Sequence, residues 1–258
     1  VVGGSLSRSW KPLLANDMHL GLAQPTIWYL MGLHAPGVDV VGMTLPGTPM
    51  VVAGHSRAVA WGFTNAALDD ADFFLERVSP EDTTRYLTPW GSEPFSTRVE
   101  EIRVKGRQAP ELLTVRETRH GPIVTGVEAR AGEDLMAVRW VGLDVSGTAV
   151  ALRGMNRARS ATEFIAALRG FGNPHQNVVF ADTAGTWGYW MAGTVPLRAG
   201  GRPPLLPAPG WTGKDDWVGT LPFEEHPHAL NPPRGFLATA NNRQTRDSVS
   251  VLISDGGW

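Results

Sequence analysis

Short apolar runs separated by glycine and proline dominate the first eighty residues and restrict the possible folds most strongly. The runs cover residues 11–17, 27–30, 38–45, 50–53 and 59–63. Each run is too short for a helix of ordinary length, and glycine and proline between such runs mark tight turns. The 258 residues include 30 glycines and 20 prolines. The pattern therefore predicts a β-rich protein built from short strands and excludes a helical bundle.

Two pairs of runs further along the chain have the spacing of antiparallel hairpins. They are residues 99–104 with 112–117, and residues 177–181 with 186–192, the second pair joined through Asp182 and Gly185. Strand-like runs with turn residues between them are typical of such pairs. We also predict a strand over residues 136–143, a loop over residues 79–97 and a surface excursion over residues 195–209.

The best helix signal begins at Ser160. The sequence Ser160-Ala161-Thr162-Glu163 is a capping box, in which the serine and glutamate side chains satisfy free N–H groups at the start of a helix. Apolar residues follow at helical spacing until Gly170 and Gly172. No linker divides the chain, so we predict one β-rich α+β domain.

Charge and composition exclude several classes of function. The chain has 23 Lys and Arg residues against 25 Asp and Glu residues, so it offers no basic surface for nucleic acid or acidic lipid. No apolar run reaches the roughly 18 residues that a membrane span needs. Cysteine is absent, which excludes thiolate metal sites and cysteine nucleophiles. The motifs GxSxG, HExxH, GxGxxG and the Walker loop are absent as well.

Six segments carry a resemblance to a known family. Three stand out: residues 14–20 (LANDMHL), residues 60–65 (AWGFTN) running on to residues 69–72 (DDAD), and residues 239–243 (TANNR). The others are residues 33–37, 119–123 and 174–182. Together they resemble the β chain of the penicillin acylase family of N-terminal nucleophile hydrolases, in the family's order and over nearly the whole chain.

The resemblance implies a fold and a setting. The expected fold is a four-layer αββα sandwich, in which two antiparallel sheets pack face to face under helices. Residues 1–258 would be the N-terminal part of the family's β chain, truncated at both ends. The implied partner is an α chain cut from the same precursor, and the implied location is periplasmic or extracellular.

The resemblance also implies a reaction. A precursor of this family cuts itself, and the new amino-terminal serine attacks an amide with its own α-amine as base, a group whose ordinary pKa is about 7.7 to 8.0. The backbone N–H of Asn65 and the side-chain amide of Asn241 match the oxyanion donors, and His19 matches the residue that orients the nucleophile. Leu20 and Val52 match residues of the acyl pocket. No cofactor is implied for catalysis.

The start of the chain departs from the family pattern. Family β chains open with Ser-Asn-x-Trp, whereas this sequence opens with Val1-Val2-Gly3-Gly4, and the resemblance places the expected serine about four residues before Val1. We therefore expect these residues alone to be unable to hydrolyse an amide. The implied substrate is a small acyl amide such as a β-lactam or a homoserine lactone, and the sequence does not choose between them.

Local interpretations compete with these roles. His19 follows Asn16-Asp17 and can simply close a turn. The pair Asn241-Asn242 is typical of a turn, because asparagine tolerates the left-handed backbone region and bonds locally. Asn241 is preferred over Asn242 as the functional residue because it is the one that matches the family position.

Asp69, Asp70 and Asp72 form an acidic cluster. Carboxylates and backbone carbonyls are the ligands that Ca²⁺ prefers, and some members of the family bind calcium with residues that match Asp69, Asp72 and the carbonyl of Ala71. The cluster is thus compatible with a structural calcium ion or with a solvated acidic loop. The run of residues 224–228 (EEHPH) lacks the spacing of a helical metal site, and we predict that it lies on the surface.

Two alternatives to an active acylase remain open. The chain can be a non-catalytic relic of the family whose serine has been lost. It can also be a tryptophan-rich carbohydrate-binding or propeller-like β module, as suggested by Trp61-Gly62, Trp187-Gly188, Trp211 and Trp217. Propeller blades recur at about 40 to 50 residues, and these pairs do not, which weighs against the second alternative.

Overall fold

The computed structural model describes residues 1–66, 68–126, 135–201 and 203–242. The strands are β1 (Tyr29–Ala35), β2 (Val38–Thr44), β3 (Ala53–Ser56), β4 (Val59–Asn65), β5 (Ala71–Leu75), β6 (Arg85–Thr88), β7 (Gly91–Pro94), β8 (Ser96–Ile102), β9 (Glu111–Thr118), β10 (Gly121–Pro122), β11 (Met136–Trp140), β12 (Gln176–Asp182), β13 (Trp187–Ala192), β14 (Pro196–Arg198), β15 (Ala208–Pro209), β16 (Trp217–Thr220) and β17 (His228–Leu230). The α-helices in these ranges are α1 (Thr148–Met155) and α2 (Ala161–Leu168). Neither of these two described helices could cross a membrane.

Seven strands form the main sheet, in the order β1-β2-β3-β4-β12-β13-β17, with every neighbouring pair antiparallel. Pairing of β4 with β12 joins the first part of the chain to residues far along the sequence. The predicted hairpin of residues 99–104 and 112–117 is confirmed by β8 and β9. The predicted pairing of residues 177–181 with 186–192 is confirmed by β12 and β13.

Both faces of the central strands are covered. On one face, Trp61 and Phe180 pack against Phe164 of α2, with ring centroids 5.6 Å and 5.4 Å from that of Phe164. On the other face, Val179 and Tyr189 belong to a second apolar cluster. Every residue of β12 is consequently buried, which explains its continuous apolar run in place of a strict alternation.

The helix predicted at Ser160 is confirmed as α2. The Glu163 N–H donates to Ser160 Oγ at 3.2 Å, while the Glu163 carboxylate accepts from the N–H of Arg159 at 2.9 Å. Helix α1 has no comparable signal, because its N-cap is Gly147, which has no side chain that could cap it. The described part of the chain is therefore α+β, mostly sheet with two helices, and the four-layer arrangement stays a prediction.

Residues 11–17 do not form the strand that their apolar pattern predicts. Within this stretch Leu13 alone pairs, in an isolated bridge with Val2. Asn16 instead uses its side chain: its Nδ2 donates to the Phe63 carbonyl at 2.9 Å, and the Phe63 N–H donates to its Oδ1 at 3.2 Å. This contact requires Gly62, because a Cβ there would lie 2.6 Å from the Cβ of Asn16.

Two stretches predicted to be irregular contain strands. Residues 79–97 hold the hairpin of β6 and β7, so the predicted loop is wrong. Residues 195–209 hold β14 and β15. The predicted surface excursion is also wrong in part, since Val195, Arg198 and Ala208 are buried.

Candidate active site

A cavity of about 870 Å³ lies where β4 ends and β12 begins. Its lining is mostly apolar and includes Phe63 of the main sheet, Leu152 of α1 and Phe171 beyond α2. A smaller number of amide and hydroxyl side chains interrupt this apolar wall. A concave apolar site with a few convergent polar groups is typical of small-molecule binding.

Five residues singled out from the sequence line this one cavity: His19, Leu20, Val52, Asn65 and Asn241. They come from separate parts of the chain: the segment before β1, the residue before β3, the end of β4 and the segment after β17. Local sequence does not bring such distant residues together. The fold of the main sheet therefore creates the arrangement.

Asn65 is held by three amide side chains. Its carbonyl oxygen accepts from Asn241 Nδ2 at 2.9 Å and from Asn177 Nδ2 at 3.3 Å. Its own Oδ1 accepts from Gln176 Nε2 at 2.9 Å. Behind this group, the Tyr189 hydroxyl donates to Asn177 Oδ1 at 2.8 Å, and burial raises the pKa of Tyr189. The peptide of Asn65 is thus anchored from both sides.

The N–H of Asn65 points away from β12. Phe63 donates its N–H to Asn16 on one side of β4, and Ala66 donates its N–H to the His175 carbonyl on the side of β12, at 3.2 Å. Because successive N–H groups of a strand point to opposite sides, the N–H of Asn65 shares the side of Phe63. That is also the side on which its carbonyl meets Asn241.

The two asparagines of the 241–242 pair do different things. Asn241 has a φ of 63°, a left-handed conformation that is uncommon outside glycine and is enriched near functional sites. Its side chain reaches Asn65, whereas Asn242 Oδ1 accepts from the nearby N–H of Ala240 at 3.0 Å. The turn is further tied to β4, because the Thr64 hydroxyl donates to that of Thr239 at 2.8 Å.

Comparisons with known proteins identify the family of the chain. The family described as penicillin amidase matches residues 1–258. The chain belongs to the penicillin amidase family. It is 32% identical to the acyl-homoserine lactone acylase QuiP of Pseudomonas aeruginosa, over 98% of this chain and 31% of QuiP. It is 35% identical to the penicillin G acylase of Escherichia coli, over 96% of this chain and 29% of that protein.

A solved structure of the penicillin amidase family has the same fold. The thermostable penicillin G acylase from Alcaligenes faecalis matches with a TM-score of 0.79 at 28% identity, over 94% of this chain and 42% of that chain. This chain therefore spans less than half of the solved relative and about a third of the two acylases named above.

The carboxylate of Asp72, expected as a calcium ligand in this penicillin amidase chain, is engaged by other groups. Arg198 Nε donates to its Oδ2 at 2.6 Å and Arg198 Nη2 to its Oδ1 at 3.2 Å, and Trp217 Nε1 donates to Oδ2 as well. Arg198 also donates to the Asp69 carbonyl at 2.8 Å. The side chains of the Asp72 and Arg198 pair are both 2% exposed. As arranged, these groups fit a closed ion pair and do not fit a Ca²⁺ site, and no cluster of three metal-ligating side chains occurs among the described residues.

Asp70 of the same acidic cluster faces a different group of residues. Its Oδ2 accepts from Trp140 Nε1 at 3.2 Å and lies 3.3 Å from Nδ1 of His175. Burial alone would raise the pKa of Asp70, but the hydrogen bonds and charge of these partners hold it below its ordinary value. His175 in turn contacts the Thr194 carbonyl at 2.7 Å. This cluster stabilises the turn before β12.

The family segment at Arg119-His120 lies outside the cavity. His120 Nδ1 is 2.7 Å from Glu76 Oε1 and its Nε2 is 3.0 Å from Asp216 Oδ1, while its ring stacks on Phe74 at 3.8 Å. Arg119 also donates to Asp216. The segment therefore forms a buried charged cluster with a structural role.

The prediction that residues 224–228 lie on the surface is wrong in part. Glu224, Glu225 and His228 are exposed, but His226 is buried between the carbonyls of Met191 and Leu221, at 3.0 Å and 3.2 Å, and burial lowers its pKa.

The four tryptophans that suggested a carbohydrate-binding module do not form an exposed sugar-binding platform. Trp61 and Trp187 are buried. Trp211 and Trp217 are partly buried, with the guanidinium groups of Arg77 and Arg139 at 3.6 Å and 4.6 Å from their rings. Aromatic faces that are already covered cannot stack on a sugar ring, which removes the observation that favoured a carbohydrate-binding module.

Proposed function

We propose that this chain is the part of an acylase that surrounds its serine nucleophile, and that the whole protein hydrolyses the amide bond of an acylated small molecule. The observation that carries the proposal is the meeting of His19, Asn65 and Asn241 at one apolar cavity. These residues are distant in sequence, and each matches a family position with a role in amide hydrolysis.

The pairing of the first residues supports a nucleophile just before Val1. The N–H of Val2 donates to the Leu13 carbonyl at 2.8 Å, and the N–H of Leu237 donates to the Val1 carbonyl at 2.9 Å. Both pairings are antiparallel, so residues that precede Val1 would lie opposite the residues that follow Leu13 and Leu237. A chain that continues this ladder reaches the cavity between His19 and Asn241, where the expected serine, about four residues before Val1, would attack.

Asn65 and Asn241 would stabilise the oxyanion. A side-chain amide has two N–H groups, and one N–H of Asn241 already bonds the Asn65 carbonyl. This bond holds the second N–H near the backbone N–H of Asn65, so that two donors can converge on one developing negative charge. Pre-aimed donors of this kind contribute about 3 to 4 kcal/mol each to barrier lowering. His19 would orient the serine.

The cavity and the relatives support a proposal for the substrate class. The apolar lining, including Leu20 and Val52, suits an aliphatic or aromatic acyl group. The relatives named above act, by their names, on acyl-homoserine lactones and penicillins, and a similar acyl amide is proposed here. The proposal includes an α chain from the same precursor as partner, export from the cytoplasm, and no cofactor for catalysis.

A calcium ion held by Asp69, Ala71 and Asp72 is a separate proposal. It requires the Asp72 carboxylate to release Arg198, since the two now form a closed pair. Catalysis as proposed does not depend on this ion.

The test is expression of the full precursor, followed by assays for self-cleavage before Val1 and for release of free amine from acylated substrates. The proposal predicts both activities, and a Ser→Ala change at the new amino terminus should abolish both. A precursor with another residue in place of that serine, uncut and inactive on all acyl amides, would instead establish a non-catalytic relic.

A further inference from the structure

Gln176 is a buried carboxamide in the mostly apolar wall of the cavity. It is the first residue of β12, is 7% exposed and lines the cavity. Within the part of the chain that the structure describes, its side chain makes one hydrogen bond, from Nε2 to Asn65 Oδ1 at 2.9 Å. The sequence patterns assign no role to it.

The register between β4 and β12 shows where the side chains on one face of the main sheet change from apolar to polar. Cross-strand partners of β4 and β12 share one face of the main sheet, and along that face the pairs are Trp61 with Phe180, Phe63 with Val178, and Asn65 with Gln176. Two apolar pairs are thus followed by an amide pair at the point where the face reaches the cavity. An apolar residue at position 176 would simply have continued the core.

The Gln176 amide keeps hydrogen-bonding groups available to a ligand in the cavity. A glutamine side chain has two N–H donors and one carbonyl acceptor, and the bond to Asn65 uses one donor. Because Gln176 lines the cavity, a hydroxyl or carbonyl oxygen of a bound molecule can accept from its remaining N–H.

Building on the proposed function, we infer that Gln176 determines specificity for acyl groups that carry a hydroxyl or oxo oxygen on the second or third carbon. Asn65 contributes its N–H to the scissile carbonyl, and through its Oδ1 it fixes the amide of Gln176. The first carbons of an acyl chain that runs from this carbonyl into the cavity therefore pass the Gln176 amide. An oxygen on one of these carbons meets a positioned donor and acceptor.

The test uses the complete processed protein and four para-nitroanilides that differ only in the acyl group. These are the octanoyl compound, its derivatives hydroxylated on the second or third carbon, and the derivative with an oxo group on the third carbon. The variant is Gln176→Met, which keeps the length of the side chain and removes its hydrogen-bonding groups. Gln108→Met, at an exposed position between β8 and β9, is the matched control.

The inference predicts that the wild type and the Gln108→Met variant prefer at least one oxygenated substrate by about tenfold or more in kcat/KM. In Gln176→Met this preference disappears, because kcat/KM falls more for the oxygenated substrates than for the plain octanoyl anilide. A wild type that cleaves all four equally would overturn the inference and leave the proposed function intact. An equal loss on all four substrates in Gln176→Met would also overturn it, because Gln176 would then only position Asn65.

If the wild type cleaves none of the anilides, the proposed function fails for this class of substrate. The role of Gln176 is then tested by ligand binding instead of by turnover. The shift of Tm by octanoic acid and by its hydroxylated derivatives is then compared in both variants. A larger shift by a hydroxylated acid that is lost in Gln176→Met supports the role of Gln176. Equal shifts in both proteins contradict it.

Discussion

The chain contains two kinds of polar cluster, and they are built in opposite ways. At the end of β4, beside the cavity, three neutral amide side chains surround Asn65. At β5 and just after it they are charged, with Asp72 bound to Arg198 and Glu76 bound to His120. The neutral amides border the cavity, whereas the charged groups form ion pairs with one another.

The difference separates a site for a ligand from a scaffold. Neutral amides carry no large desolvation cost and can leave one donor free for a substrate. Buried charges are stable only when each keeps its partner. We therefore expect changes at the cavity to affect turnover more than stability, and changes at the charged clusters to do the reverse.

The largest effect on stability is expected for Arg198→Met in the complete protein. Without the guanidinium, Asp72 is left as an unpaired buried charge, and the free energy of unfolding should fall by about 3–5 kcal/mol. Urea denaturation measures this loss. The double change Arg198→Met with Asp72→Asn should recover part of it.

The same experiment distinguishes the ion pair from a metal site. Denaturation is repeated with EDTA and with added Ca²⁺. A wild type stabilised by Ca²⁺, together with an Arg198→Met variant of unchanged stability, would contradict the closed pair and favour calcium at Asp72.

The largest effect on turnover is expected for Asn241→Ala. Loss of one oxyanion donor should reduce kcat by about 10²–10³-fold. Little change in Tm is expected, because the Asn241 side chain is only partly buried and bonds only the Asn65 carbonyl among the described residues. Asn242→Ala is the matched control and should keep kcat within a few-fold. Equal losses in the two variants would show that the turn, and not the donor, matters.

Turn chemistry and strand alternation made parts of the fold predictable. Ser160 and Glu163 predict the start of α2, because helix capping depends on residues that are close together in sequence. Helix α1 is missed because Gly147 gives no cap, and residues 11–17 are misassigned because Asn16 replaces a backbone ladder with its side chain. Such a side-chain contact with β4 depends on tertiary structure, which a local pattern does not encode.

The site could be predicted only through family resemblance. His19, Asn65 and Asn241 carry no local signal stronger than that of a turn, and their meeting depends on the pairing of β4 with β12. Gln176 lies within a segment that matches the family, but the resemblance implies no role for it. Its position in the cavity follows from the strand register, in which it faces Asn65.

Tyr189→Phe tests whether the buried support of Asn65 contributes to catalysis. Removing the hydroxyl leaves Asn177 Oδ1 without its 2.8 Å donor, and stability should fall by about 1–3 kcal/mol. If Asn177 orients Asn65, kcat also falls severalfold while KM is unchanged. The control is Tyr86→Phe, whose hydroxyl donates to Glu93 outside the cavity. A fall of kcat in both variants would mean that the loss of stability, and not the loss of support for Asn65, lowers kcat.

The smallest effect is expected for the pH dependence of Asp216. Burial alone would raise its pKa, but hydrogen bonds from Arg119 and His120 and their charges hold the pKa below its ordinary value. Its contribution to stability is therefore present above the ordinary carboxyl pKa of about 3.9 and is lost as the pH falls through the lower folded value. The Tm difference between the wild type and Asp216→Asn should shrink between pH 6 and pH 3, a range set by that pKa of about 3.9. A constant difference would contradict the shift.

The most direct test of the nucleophile site is a labelling experiment on the mature protein made from the full precursor. It is treated with a serine-reactive sulfonyl fluoride, and the peptide that contains Val1 is analysed by mass spectrometry. The account predicts a peptide that begins with a sulfonylated serine about four residues before Val1, and labelling that is slowed by Asn241→Ala. A label on any other residue, or an unmodified chain that runs uncut through this position, would contradict it.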